Sequence, residues 1–141
     1  MSNFYRYFKE NMDQLDLPAP DSLFGSMQLA VSNATAFVAQ MDKFGRKVTV
    51  AELIGAGTRL EKLSVVAALS ASYYVGAVIG SIAVAAGRSF SDGTSLADVL
   101  LLARQNNLDR PWLSASLRRW PGIYDKKRIG RCMYRQMARR P

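Results

Sequence analysis

The sequence predicts an all-α chain: a small helical bundle around one long apolar helix rich in Gly, Ala and Ser, with a basic helical region at the C-terminal end. Three observations predict it. Apolar residues recur at helical spacing along most of the chain. No two alternating runs flank a hairpin turn signal, and no repeat of solenoid length is present. Residues 63–87 form a run of 25 without a charged side chain. With 141 residues, 49% of them apolar, the chain has material for one core and is read as a single domain over 1–141.

Taken in order, Phe4, Tyr5, Tyr7, Phe8, Met12 and Leu15 place an aromatic face on a first helix at 3–16, stopped by Pro18 and Pro20. Asp21 is a suitable N-cap for a second helix at 22–42. Its stripe is Leu23, Met27, Ala30, Val31, Ala34, Phe37, Val38 and Met41, and Gly45 follows as a stop. Thr49 and Glu52 form a Thr-x-x-Glu capping signal, so a third helix starts near Val50 and runs to residue 87, weakened at Gly55 and Gly57. Ser95 and Asp98 cap a helix at 96–106. Pro111 opens a short segment holding Trp112 and Trp120, closed by Pro121-Gly122, and a last basic helix is expected from Asp125 to about Ala138.

The net charge of +8 is unevenly placed. Residues 1–62 sum to zero, 63–103 to −1, and 104–141 carry eleven Lys/Arg against Asp109 and Asp125. The three parts read as neutral amphipathic helices, an uncharged centre and a cationic end. Histidine is absent and there is one cysteine. This removes Ser-His-Asp and Cys-His catalysis, His-ligated metals, an internal disulfide and multi-cysteine zinc sites. The chain is therefore read as a non-enzyme without cofactor or metal. Residues 1–10 show no secretory signal, so the chain is expected to be made in the cytoplasm and to leave by a route that needs none.

A helix over 63–87 would be roughly 37 Å long, against roughly 30 Å for a hydrocarbon core. Fourteen of its residues are Gly, Ala or Ser, and nine are Leu, Ile or Val. Ala68, Ser72, Gly76 and Gly80 stand four apart, as do Ala77, Ser81 and Ala85, and Ala83 and Gly87. Residues four apart share a helix face, and a face without bulk lets another backbone approach closely. Two readings follow: a membrane-inserting helix packed through its small residues, or the buried central helix of a soluble bundle. Residues 22–41 are also uncharged. Gln28, Ser32, Asn33 and Thr35 on that helix are candidates for lining a pore, or simply the polar face of an ordinary amphipathic helix.

The run Tyr74-Val75-Gly76-Ala77-Val78-Ile79-Gly80-Ser81, with its glycine-zipper spacing, resembles the small pore-forming antibacterial effectors of the Pseudomonas type VI secretion system. The resemblance implies carriage by the ring-shaped secreted tube protein and delivery into a rival cell. It implies insertion into that cell's inner membrane, oligomeric ion-conducting pores, and a dedicated membrane immunity protein in the producer.

The cationic end matches no motif of that family. Arg118, Arg119, Lys126, Lys127 and Arg128, with Trp120 among them, suit an anionic lipid interface or an acidic partner. The same composition suits phosphate backbones, or a solvated face, and no DNA- or RNA-reading motif accompanies it. Gly55-Ala56-Gly57 lacks the rest of a dinucleotide fingerprint. The alternatives to a pore-forming toxin are a soluble all-α interaction protein and a basic nucleic-acid binder.

Overall fold

The computed structural model describes residues 3–45, 47–54, 63, 66–87, 95–125 and 127–138. The chain is all-α. Its helices are α1 (Phe4–Gln14), α2 (Asp21–Phe24), α3 (Met27–Phe44), α4 (Val50–Ile54), α5 (Ala71–Gly87), α6 (Leu96–Gln105), α7 (Pro111–Arg119) and α8 (Tyr134–Met137). Short 3-10 turns lie at Pro121–Ile123 and Arg131–Met133.

α1 buries Phe4, Phe8, Asn11 and Met12 along one stripe. Phe8 stacks between Phe4 and Phe24, with ring centroids 5.7 and 5.0 Å away. The predicted helix at 22–42 is two helices. Gly25 closes the single turn of α2 so tightly that a Cβ there would sit 2.6 Å from the Asp21 carbonyl oxygen. Ser26, in extended backbone, then caps α3 by accepting a hydrogen bond from the Leu29 amide at 3.1 Å. Asp21 lies inside α2 and Pro20 occupies its N-cap. Gly45, at φ 97°, ends α3 in a conformation that favours glycine.

The predicted helix at 50–87 is also interrupted, and hydrogen bonding supplies the reason. In a continuous helix the Ala67 carbonyl would accept from the Ala71 amide. Instead, Ala67 accepts from Ala51 and Leu69 from Val50, while the Ala71 amide donates to Val48, each at 2.9 Å. The isolated antiparallel bridge Thr49–Ser70 is part of this clasp. α5 therefore starts at Ala71. The expected weakening at Gly55 and Gly57 lies outside the described residues.

The α6 cap is the predicted one. Ser95 accepts from the Asp98 amide at 3.2 Å, and the Asp98 carboxylate accepts from the Ser95 amide at 3.1 Å. These bonds hold Asp98 below the usual carboxylate range. Pro111 starts α7 as predicted. Before it, Arg110 forks onto Asp42 of α3 with distances of 2.9 to 3.2 Å, which lowers the Asp42 pKa. The expected basic helix over 125–138 does not form. Gly130, at φ 80°, breaks it, and Arg131 beyond it turns inward. Only the 3-10 turn and the single turn of α8 remain.

Candidate functional site

α5 contains 17 residues and no charge, and 14 of them are buried. α1, α3, α6 and α7 all pack against it. Its small residues are where neighbours come close. Ser81 accepts a hydrogen bond from Asn11 Nδ2 of α1 at 2.8 Å. A Cβ built on Gly76 would lie 3.6 Å from Ser116 Cβ of α7, an ordinary contact. A Cβ built on Gly80 would overlap Ile123 Cγ2 in the turn after α7. Bulkier contacts fill the rest: Phe37 of α3 meets Tyr74 edge-on at 6.4 Å, and Trp120 meets Tyr73 at 5.4 Å.

Gly76, Gly80 and Ala83 thus sit on the buried helix, while Ser72 is half-buried in its first turn and Gly87 half-buried at its last residue. Ala68 does not belong with them. It is exposed in the turn before α5, because the clasp to residues 48–51 stops the helix at Ala71. At 17 residues α5 is about 25 Å long. Among the described residues no helix is long and apolar enough to cross a membrane.

The four candidate pore-lining residues lie on α3. Gln28, Ser32 and Thr35 are exposed, and Asn33 is half-buried. Asn33 Nδ2 donates to the Leu23 carbonyl at 2.8 Å and ties α2 to α3. Thr35 Oγ1 donates back to the Val31 carbonyl at 2.8 Å. In this fold all four form the outer, polar face of an amphipathic helix.

The basic residues divide. Arg118, Arg119, Lys127 and Arg128 are exposed, and Trp120 is buried. Arg119 lies over the Trp120 ring with its guanidinium carbon 4.8 Å from the centroid. Arg128 pairs with Asp125 at 3.3 Å. Lys126 lies outside the described residues. Among the described residues no group of His, Cys, Asp and Glu could hold a metal.

Sequence reasoning missed one group. Arg131 is only 5% exposed. Its guanidinium donates to the Gly122 carbonyl at 2.6 Å, to Gln14 Oε1 and to Asn11 Oδ1. Asn11 Nδ2 in turn donates to the Ile123 carbonyl at 2.9 Å. Burial lowers the Arg131 pKa, but an arginine remains charged at neutral pH. This network ties Gly122, Ile123 and Arg131 to α1 and, through Asn11 and Ser81, to α5. The signal was present in the sequence: Asn11 stands within the stripe Phe4, Phe8, Met12 and Leu15, where an apolar residue is expected.

No family model, curated protein or solved structure matches this chain. The functional reading therefore rests on the residues themselves.

Proposed function

We propose that this protein is an antibacterial toxin delivered by a type VI secretion system. In this proposal the described fold is the form that precedes membrane entry, a small bundle around a central apolar helix. α5 then leaves its cover, inserts into the target cell's inner membrane and assembles with further copies into ion-conducting pores. The tube protein would be the carrier, and a membrane immunity protein would protect the producer.

One observation carries the reading: a helix with no charged side chain is buried over 14 of its 17 residues by helices that turn polar faces outward. Such a helix is stable in water only while covered, and lipid is the other solvent that accepts it. Spanning requires more than the 25 Å of α5. The preceding residues 63–70 are also uncharged, so opening the 48–51 clasp would free enough chain for roughly 37 Å of helix. Once inserted, the row of Ser72, Gly76 and Gly80 would be free to pack against another copy. The exposed Arg118, Lys127 and Arg128 would favour anionic lipid, each by roughly 1 kcal/mol near the surface.

A second reading has its own support. Gly80 is used inside this fold, where only a residue without Cβ fits beside Ile123. Close packing of that kind suits a soluble all-α interaction protein in which α5 never leaves. Ion leakage from phosphatidylglycerol-containing vesicles separates the two. The toxin reading expects leakage that rises steeply with protein concentration. Binding of random DNA without leakage would favour a nucleic-acid role instead. A stable monomer that neither binds vesicles nor leaks ions would leave the interaction protein standing.

A further inference from the structure

A cavity of about 240 Å³ opens between the first turn of α5, α7 and the C-terminal segment. Its lining includes the aromatic residues Tyr73, Trp112 and Trp120 and the hydroxyl-bearing residues Ser70, Ser72 and Ser116. Lys47 and Arg119 complete the wall, and both are exposed residues. No Asp or Glu is among the described residues that line it.

We propose that this cavity binds a small anion: a phosphate or carboxylate carried on a short apolar or aromatic body. Three features converge on the charge. Two cations stand in the wall, and no carboxylate among the described residues is there to neutralise them. The cavity lies at the N-terminal end of α5, where the helix dipole is positive. Ser70 and Ser72 share a hydrogen bond of 2.9 Å between their hydroxyls, and one proton is enough to make that bond. The second hydroxyl proton is left to donate to a ligand. The apolar body follows from the rings. Trp120 is already held beneath the Arg119 guanidinium and edge-on to Tyr73, so the aromatic wall is set before a ligand arrives. The volume lies below the roughly 300–1,000 Å³ of sites for drug-sized ligands, which selects a small molecule or a single lipid headgroup. The inference concerns the folded form, which both functional readings share.

The chain has two tryptophans, and both line the cavity, so intrinsic fluorescence reports occupancy without a label. The full chain is titrated with phenyl phosphate, with dihexanoyl phosphatidylglycerol below micelle formation, and with benzyl alcohol as the neutral control. A saturable change with one or both anions, and none with the alcohol, is expected. The anion that saturates at the lower concentration tells a free ester from a lipid headgroup. Lys47→Gln with Arg119→Gln should weaken binding at least about tenfold. Ala115→Leu, a larger side chain at an exposed position of the rim, should abolish it while far-ultraviolet circular dichroism is unchanged. No saturable change with either anion overturns the proposal. So does equal binding of the alcohol, or unaltered anion affinity in the charge variants.

Discussion

Gly76 and Gly80 stand one turn apart on the same helix, yet alanine at the two positions should act with opposite sign. In a helix interior Gly→Ala gains about 0.8–1 kcal/mol through propensity alone. At Gly76 the new Cβ meets Ser116 Cβ at 3.6 Å, a normal contact, so the gain stands. For a chain of 141 residues it should raise Tm by about 3 °C. At Gly80 the new Cβ runs into Ile123 Cγ2. Ile123 is fully buried, and its carbonyl is held by Asn11, so it cannot withdraw freely. Overpacking costs typically about 1–3 kcal/mol, which cancels or reverses the propensity gain. Ile123→Leu moves the branch from Cβ to Cγ and removes the offending methyl. Gly80→Ala should therefore be tolerated better in that background, with a coupling of about 1 kcal/mol or more. Urea unfolding followed by circular dichroism gives all four corners of the cycle. Equal, same-sign shifts for Gly76→Ala and Gly80→Ala, with no coupling to Ile123, would falsify the packing assigned to this face.

Two further predictions concern the cover over α5. Arg131→Met leaves the acceptors on Gly122, Gln14 and Asn11 without their shared donor. Gln14 is exposed, but the acceptors on Gly122 and Asn11 are buried, and each left unsatisfied costs about 1–3 kcal/mol, so stability should fall by at least about 2 kcal/mol, and Arg131→Lys should not restore it because an ammonium lacks the planar fork. A loss under half that size would mean water already serves these groups. Stability should be flat between about pH 5 and 8, since no histidine is present. Asp42 and Asp98 are held below their ordinary pKa by Arg110 and Ser95. Their stabilisation is full above about pH 4 and is lost as pH falls through the lowered values; being exposed, each contributes less than about 1 kcal/mol. Urea midpoints across pH test this, and a step between pH 5 and 8 would count against it. Asp42→Asn should also make the acid limb shallower.

The fold class and several boundaries were legible because their causes are local. The Ser95–Asp98 cap, Pro111 at the head of α7 and Gly45 at the end of α3 each act within one turn. The start of α5 was not legible. It depends on carbonyls of residues 67 and 69 being taken by amides of residues 51 and 50, a pairing across a loop that hydropathy does not encode. The split at Gly25 was hidden for a related reason: an uninterrupted apolar stripe outweighed one glycine. The C-terminal helix failed because Gly130 breaks it at positive φ, and because the basic residues of this end were all read as surface groups. Arg131 is instead a buried donor, and two of its three acceptors, on Gln14 and Asn11, lie more than a hundred residues away. For the candidate site, small residues four apart say only that a neighbour can approach that face of the helix. They do not say whether the partner on that face is α7 of the same chain or α5 of another copy.

That last question is the central one, and a tether between α5 and α7 addresses it most directly. A Cβ on Gly76 lies 3.6 Å from Ser116 Cβ, within the roughly 3.5–4.5 Å that a disulfide spans. Gly76→Cys with Ser116→Cys, in a Cys132→Ser background, should form a cross-link that leaves the fold unchanged and holds α5 under its cover. Ion leakage from phosphatidylglycerol-containing vesicles is then compared for the oxidised and reduced protein. If α5 must leave to conduct, the oxidised form binds vesicles but stays silent, and reduction starts leakage. Leakage at the same rate from the cross-linked protein would contradict the account.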